Sequence, residues 1–166
     1  MPVFLILSFS LPIIALFLAV RASGWKKWLA WGDAALLAVP WLVAGIGGLI
    51  LSANGLAWRS CVKLPCGLAF VAGILLLLVQ AGIFLWRQLT DRGRVVQTVG
   101  QIFITLVIGV LCLVIGWYGL LFSAIWAGQD QVVERDGQIC VEEHVWMDRD
   151  YYTYYGPLVR GDSILR

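Results

Sequence analysis

Four long apolar runs, separated by short polar connections, occupy most of the chain. They cover residues 3–20, 34–51, 67–86 and 99–126. A helix rises about 1.5 Å per residue, so a run of about 20 residues matches the roughly 30 Å hydrocarbon core of a bilayer. Because backbone groups in lipid must find their hydrogen bonds within the same segment, each run should be helical. The pattern predicts an all-α transmembrane four-helix bundle over residues 1–128.

Residues that punctuate helices lie between the runs. Asp33 offers a carboxylate that caps the start of the second helix, and Gly55 can adopt the positive φ expected just after its end. Residues 90–93, Thr-Asp-Arg-Gly, form a polar turn before the fourth run. The first run could be a signal peptide. Its nearest basic residue, Arg21, follows the run instead of preceding it, so a retained span is the better interpretation.

The last part of the chain, residues 129–166, has the pattern of short strands. A hairpin is predicted over residues 131–143, because its central pair, Asp136 and Gly137, suits a type I′ turn. A second pair of strands is predicted within residues 151–161. A lone hairpin is marginal in water, so we expect a small antiparallel β subdomain of three or four strands.

The composition supports the membrane interpretation. The chain of 166 residues is 61% hydrophobic and 13% charged, against about 45–50% and 25% in typical soluble proteins. A soluble domain of this composition would have too few polar groups to cover its surface, so the excess should face lipid. The net charge is only +2, and membrane topology explains the basic residues between the runs, so nucleic acid is not expected as a partner. The tryptophans near span ends, where the headgroup region favours them, are Trp25, Trp28, Trp31, Trp58, Trp86 and Trp126.

Basic residues are distributed unequally between the two sides of the predicted bundle. The first and third connections share a side and hold six of them, whereas the second connection holds two, Arg59 and Lys63. The positive-inside rule then places the first and third connections in the cytoplasm and both termini outside. The tail, which has eight acids and four arginines from Asp130 onward, lies outside with them. The small size and short connections suggest a bacterial plasma membrane.

The predicted spans contain no Asp, Glu, Lys, Arg or His. Ionisable residues inside a membrane mark proton relays and ion pathways, so their absence argues against proton-coupled transport and charged substrates. The larger polar side chains in the spans, Gln80, Gln101 and Thr105, more often form hydrogen bonds between helices than bind substrate. Glu142 and His144 share a strand face, but two ligands do not make a zinc site. No catalytic, cofactor-binding or metal-binding residue is predicted.

Three of the four cysteines lie on the side predicted to be outside, where disulfides persist. Cys61 and Cys66 are in the second connection and Cys140 is in the tail. One interpretation is a disulfide among these three, which either closes the short loop between the first two or ties the tail to the bundle. The other interpretation is free thiols. Cys112, within the fourth run, is interpreted as a small packing residue.

The sequence favours a membrane component over an enzyme, with the lipid bilayer as its first partner. The leading hypothesis is that the bundle anchors the external β module. This module contacts a protein partner through aromatic side chains, because aromatic residues are favoured at interfaces. The candidate contact residues are Trp146, Tyr151, Tyr152, Tyr154 and Tyr155.

Two other functions stay open. A small transporter or oligomeric pore for neutral or apolar solutes would need polar helix faces that line up between copies. Small residues at 44–48, Gly116 and Gly119 allow close helix approach, which favours packing within the bundle over the interface of a homo-oligomer. A membrane thiol–disulfide oxidoreductase would require Cys61 and Cys66 to cycle between redox states, although such enzymes usually carry a Cys-x-x-Cys pair.

Overall fold

The computed structural model of the chain describes residues 2–21, 24, 26–90, 93–135, 137–145 and 148–165. Side chains are described for the same residues except 2–9, 21, 26, 145 and 148. The helices are α1 (Pro2–Arg21), α2 (Lys26–Pro40), a π-helical segment (Trp41–Gly47), α3 (Gly48–Ala53), α4 (Ser60–Leu89) and α5 (Arg94–Ala127). The strands are β1 (Leu56–Trp58), β2 (Gln129–Arg135), β3 (Gln138–Val145), β4 (Asp148–Tyr154) and β5 (Val159–Ile164). The structure is therefore mostly helical and ends in antiparallel strands.

Three of the described helices are long and apolar enough to cross a membrane. They are Lys27–Ala53, which runs through α2, the π-helical segment and α3, then Ser60–Leu89 and Arg94–Ala127. These helices contain the second, third and fourth apolar runs, and each is longer than its run. The helix α1 is also apolar over residues 10–20, the part whose side chains are described.

The second apolar helix begins earlier than hydropathy predicted. It starts at Lys26 instead of near residue 34, because lysine, tryptophan, leucine and alanine all tolerate a helix and no proline interrupts this segment. The assignment of Asp33 as a helix cap is therefore wrong, since Asp33 lies well inside α2. The interpretation that the predicted spans hold no ionisable residue must also be corrected, because Asp33 belongs to the apolar helix Lys27–Ala53.

The predicted turns are described only in part. Gly55 adopts the predicted positive φ after α3, at 69°. Gly137 has a φ of 74° between β2 and β3, but its neighbour Asp136 lies outside the described residues. Asp91 and Arg92, at the centre of the turn predicted before α5, lie outside them as well.

The described residues divide into two compact units. The helical unit comprises Met1–Leu37 and Phe70–Gly119, and the sheet unit comprises Ala38–Ala69 and Leu120–Arg166. The core of the helical unit consists of small residues of α1 and α2 with larger side chains packed against them from α4. The buried residues are Ala15, Ala19, Ala30, Ala34 and Leu37, and the residues from α4 are Phe70, Ile74 and Leu77.

Several glycines of the helical unit lie where neighbouring helices approach closely. A Cβ atom added to Gly73 of α4 would lie 2.7 Å from Leu37 Cγ of α2. A Cβ atom on Gly119 of α5 would lie 2.8 Å from Val71 Cγ2 of α4. Side chains at these positions would force the helices apart, as small-residue packing between membrane helices implies. Gly119 therefore serves packing within this unit, the role that the sequence favoured.

The five strands form one antiparallel sheet in the order β1-β5-β4-β3-β2. The predicted hairpin is confirmed as β2 and β3, with Arg135 opposite Gln138, and the second predicted pair forms as β4 and β5. The sequence analysis did not predict β1, which lies between α3 and α4 and pairs with β5. The connection after α3 thus contributes a strand to the sheet that the tail forms.

A π-helical segment interrupts the second apolar helix within the sheet unit. Pro40, which immediately precedes it, has no N–H to donate, so the regular hydrogen-bond ladder cannot continue through this residue. Trp58 of β1 donates from Nε1 to the Val43 carbonyl of this segment at 3.0 Å. A Cβ atom on Gly47 would lie 3.1 Å from the Trp58 ring. Trp58, which was interpreted from the sequence as an interfacial anchor, therefore packs on the interrupted helix.

Candidate functional site

Five charged side chains lie buried in the sheet unit, and we call them the buried charge cluster. They are Arg59, Lys63, Asp130, Glu143 and Arg160. Arg59 follows β1 and Lys63 lies in the first turn of α4, whereas the other three lie on β2, β3 and β5. Each of these side chains is at most 17% exposed. The cluster therefore joins the beginning of an apolar helix to the sheet.

The register of the sheet explains why basic side chains are needed here. Asp130, Glu143 and Asp150 lie opposite one another on β2, β3 and β4, so their side chains share a face of the sheet. Like charges directly opposite one another destabilise a sheet. Basic residues that reach the two buried acids, Asp130 and Glu143, offset this repulsion.

Each of these two acids has a short contact with a basic side chain. Arg59 Nε donates to Asp130 Oδ2 at 2.6 Å. Arg160 Nη2 donates to Glu143 Oε2 at 2.5 Å, and Lys63 Nζ lies 3.6 Å from Glu143 Oε1. The two oxygens of Glu143 thus face two different cations, although the residue is only 5% exposed. Removing one partner from such a group is strongly destabilising, because the other charge stays buried and unpaired.

Arg160 also contacts an aromatic ring. Its Cζ lies 3.5 Å from the ring centroid of Tyr152 on β4, a cation–π arrangement, and its Nη1 donates to the Gly161 carbonyl at 3.2 Å. Arg160 Nε has no hydrogen-bond partner among the described residues. Burial raises the pKa of the Tyr152 phenol above its usual range, and the Arg160 charge partly opposes this effect. Tyr152 is therefore packed into the cluster.

Hydrogen bonds at the helix ends reinforce the attachment of the sheet. Ser60 Oγ, at the start of α4, donates to the Ala127 carbonyl at the end of α5 at 2.7 Å. This carbonyl belongs to the last turn of α5, where carbonyls lack partners within the helix. The Arg59 N–H donates to the Leu158 carbonyl at 3.0 Å, and Arg59 Nη1 donates to the Pro157 carbonyl at 3.3 Å. These bonds fix the start of α4 to the end of α5 and to the loop before β5.

A second polar group surrounds Glu142 on the other face of β3. Glu142 Oε1 lies 3.4 Å from His144 Nε2 and 3.4 Å from Arg149 Nη1. Tyr151 Oη donates to the same oxygen at 3.3 Å, and Arg135 Cζ lies 4.6 Å from the Tyr151 ring centroid. The contact between Glu142 and His144 confirms that they share a strand face. In the described part of the chain, no three His, Cys, Asp or Glu side chains gather in a way that could hold a metal ion.

The predicted contact tyrosines differ widely in exposure. Tyr155 is 64% exposed, whereas Tyr152 is 8% exposed. Tyr151 and Tyr154 are half-buried, and Arg59 Cζ lies 5.8 Å from the Tyr154 ring centroid. Among the described tyrosines of this set, Tyr155 is the one that offers a largely free ring. Trp146, the remaining member, lies outside the described residues.

The four cysteines are unpaired in this structure and lie in different environments. Cys61 is exposed, Cys140 is buried in the sheet, and both Cys66 and Cys112 are half-buried. The Cys61 thiol donates to the Pro157 carbonyl at 3.4 Å. Cys61 and Cys66 both lie on α4, where ideal helix geometry separates Cα atoms five residues apart by about 8.7 Å, beyond the usual reach of a disulfide. A bond between this pair would require the first turns of α4 to open, and the disulfide stays a prediction.

The polar side chains of the helical unit make two kinds of hydrogen bond. Gln80 Nε2 of α4 donates to Asp33 Oδ2 of α2 at 3.4 Å, which is the helix–helix type that the sequence favoured. Thr105 Oγ1 donates to the Gln101 carbonyl one turn earlier in α5 at 2.8 Å. Gln101 and Thr105 also line an open groove of about 330 Å³ next to Trp86. The first of these bonds joins two helices, and the second stays within one helix.

The buried charge cluster was not predicted from the sequence. Arg59 and Lys63 were expected there only as basic residues of a connection between spans. A relevant signal was present in the tail, where eight acids outnumber four arginines. A sheet that buries some of those acids needs additional cations, and a neighbouring connection can supply them.

No protein-family model, no curated protein and no solved structure matches the chain. The geometry of the two units therefore carries the functional inference.

Proposed function

We propose that this chain is an integral membrane protein of a bacterial plasma membrane that crosses the bilayer four times. Its helices anchor a β module on the outer side, where the module contacts a protein partner. The observation that carries the proposal is the attachment of the sheet to the beginning of α4 by the buried charge cluster. The sheet therefore folds together with the first turn of an apolar helix, as a module anchored by that helix would.

The path of the chain supports a sheet that lies wholly on one side of the membrane. β1 precedes α4 and β2 follows α5. If α4 and α5 both span, the chain crosses once in each direction between these two strands. β1 and the tail then emerge on the same side, as the pairing of β1 with β5 requires.

The ion pairs give a reason for basic residues on the outer side. Arg59 and Lys63 run against the positive-inside rule if the tail is external. In the folded protein they are paired with Asp130 and Glu143, so their charges compensate acids of the sheet. The six basic residues of the other two connections then set the orientation, with both termini outside.

Labelling with a membrane-impermeant maleimide in intact cells tests this orientation. Cys61 is exposed, so it should react from outside, whereas the buried Cys140 should stay protected until the sheet unfolds. Thr90, exposed after α4, is the matched position on the other side, and a Thr90→Cys variant in a cysteine-free background should react only after permeabilisation. The opposite result at both positions would reverse the orientation. Reaction of both in intact cells would contradict a span through α4.

Photo-crosslinking tests the partner contact. A photoreactive amino acid at Tyr155, which is 64% exposed, should form a discrete adduct with one protein in native membranes. The control is Trp117 of α5, which is 67% exposed on an apolar helix and should face lipid and form no such adduct. Absence of a discrete adduct at Tyr155, at nearby Leu158 and at Gln131 on β2 would reject the partner module. That result would leave the topology proposal untouched.

One observation favours a second candidate, a small transporter or oligomeric pore for neutral solutes. Thr98, Gln101 and Thr105 follow the i, i+3, i+7 spacing of one helix face and line the same groove. A polar path would form if several copies brought these faces together. The mass of the detergent-solubilised protein tests this candidate, because a monomeric protein would contradict a polar path formed between copies. Gln101→Leu should lower solute flux, whereas the same change at Phe103, which does not line this groove, should not.

A further inference from the structure

Asp33 is buried in the helical unit, and among the described residues no ion pair joins it to a basic side chain. The residue is 1% exposed, and its Oδ2 atom accepts a hydrogen bond from Gln80 Nε2 at 3.4 Å. Its Oδ1 atom has no hydrogen-bond partner among the described residues. A carboxyl oxygen that is buried and unpartnered is uncommon, because buried polar groups in folded proteins are nearly always satisfied.

Apart from Gln80, the side chains that pack around this part of α2 are apolar. Asp33 lies on the same face of α2 as Ala30 and Leu37, at helical spacings of three and four residues, and Ala34 is the next residue along the helix. These three side chains are buried. The residues that pack against this face are Ala15 and Ala19 of α1, with Phe70, Ile74 and Leu77 of α4. In the described parts of α1, α2 and α4, no charged side chain faces Asp33.

An ionised carboxylate in such a place would lack compensation. Burial of an unpaired charge is so unfavourable that a carboxyl group takes up a proton instead. Gln80 supplies one neutral donor, which suits a carbonyl oxygen of the neutral acid. A metal cation would need more oxygen ligands than these two side chains offer. The proton is therefore the ligand whose chemistry fits this pair.

We propose that Asp33 and Gln80 form a proton-binding site within the apolar helices. Asp33 Oδ1 carries the proton, and the amide of Gln80 holds Oδ2 in place. Ionisable residues within membrane helices generally mark functional sites, so this pair gives the helical unit an activity of its own, separate from anchoring the sheet. The site is independent of the partner contact proposed for the β module.

Reaction with dicyclohexylcarbodiimide, a membrane-soluble reagent, tests the proposal on the full chain in native membranes. The Asp33 proton would move to one carbodiimide nitrogen, the carboxyl oxygen would bond to the central carbon, and rearrangement would give a stable N-acylurea with no leaving group. Peptide mass spectrometry should locate the adduct at Asp33. Its rate of formation should fall about tenfold for each pH unit above the titration midpoint of the carboxyl.

Two variants at position 33 and one at position 80 sharpen this experiment. Asp33→Asn should abolish the adduct, and Asp33→Glu, which keeps an acid there, should restore it. Gln80→Leu should extend labelling to higher pH, because an anion without the amide donor is less favourable. A merely structural role of Gln80 would leave the pH profile in place.

Asp162, which is exposed on β5, is the matched hydrated acid. A water-soluble carbodiimide with an added amine should modify Asp162 and spare Asp33. Three results would overturn the proposal. These are a parent protein with no adduct at residue 33, an Asp33→Asn variant labelled as much as the parent, and equal modification of Asp33 and Asp162 by the water-soluble reagent.

Discussion

Two buried acids, one in each unit, are compensated in opposite ways. Glu143 in the sheet unit is 5% exposed and faces two cations, Lys63 and Arg160. Asp33 in the helical unit is 1% exposed and has one neutral donor, Gln80. The sheet can recruit basic side chains from a polar connection, whereas apolar helices offer mainly small and aliphatic residues. Burial alone therefore does not determine the environment of an acid, because the two units offer it different partners.

The same contrast extends to how each unit is held together. The helical unit depends on close approach at small residues such as Gly73 and Gly119. The sheet unit depends on ion pairs and on side chains that satisfy helix ends, such as Ser60. Substitutions in the sheet unit should therefore act through loss of charge pairing, whereas substitutions in the helical unit should act through steric contact.

The largest effect is expected from Glu143→Gln in the buried charge cluster. The substitution leaves Lys63 and Arg160 buried without a counter-charge, which should destabilise the sheet by about 3 kcal/mol. Cys140, 2% exposed on β3, reports on opening of the sheet through its reaction with maleimide. In a variant that keeps Cys140 as its sole cysteine, labelling under reducing conditions should become about a hundredfold faster.

Glu134→Gln is the control for this experiment. Glu134 lies on the adjacent strand β2 and is exposed, so its substitution should change the free energy of unfolding by no more than about 0.5 kcal/mol. Equal labelling rates for the two variants would show that the ion pairs of Glu143 contribute nothing to the sheet.

In the helical unit, Gly119→Ala should have the next largest effect. The new methyl group would lie 2.8 Å from Val71 Cγ2 and 2.9 Å from Val71 Cγ1. The β-branched valine has little rotamer freedom to move away, so a loss of about 1–3 kcal/mol is expected. Gly116→Ala, nearly one turn away in the same helix, meets Leu75 at an ordinary 3.9 Å and serves as the control. The midpoint of thermal unfolding in detergent should fall for the first variant only.

The apolar helices and the strands of the tail could be predicted from the sequence because both depend on local patterns. Runs of apolar residues longer than a bilayer core indicate helices, and the Asp-Gly pair between alternating residues indicated the hairpin of β2 and β3. The boundary at Asp33 was wrong because hydropathy marks where lipid begins, whereas helix propensity marks where the helix begins. Lys26 and the residues directly after it can form a helix, but they precede the start of the apolar run.

The candidate sites could not be predicted because they join residues far apart in the chain. Arg59 and Asp130 are 71 positions apart, and Asp33 and Gln80 are 47 positions apart. No local pattern specifies which acid meets which base across such distances. The strand β1 was missed for a related reason, since its three residues form a strand by pairing with β5, a partner just over a hundred residues later.

A smaller effect is expected from Trp58→Phe, which removes one hydrogen bond and keeps most of the ring. The Val43 carbonyl in the π-helical segment would lose its donor, at a cost of about 1 kcal/mol, or about a fivefold rise in local opening. Hydrogen–deuterium exchange should become faster over Trp41–Gly47. Trp28→Phe is the control, because Trp28 is 83% exposed. Unchanged exchange in the Trp58 variant would show that the ring alone stabilises the segment.

The smallest effect is expected from Asp33→Asn, and its contrast with Glu143→Gln is the sharpest comparison between the units. Both substitutions exchange a carboxyl group for an amide of nearly the same shape. If Asp33 is already neutral, the amide replaces it with a change of about 0.5–1 kcal/mol or less in the free energy of unfolding. If Asp33 were instead an uncompensated anion, removing its charge would raise stability clearly, since burial of an unpaired charge is strongly unfavourable. Thermal unfolding of both variants beside the parent, at one pH and in one detergent, therefore tests from the size and the sign of the shift whether Asp33 is neutral, with Glu143→Gln as the comparison in which two cations lose their partner.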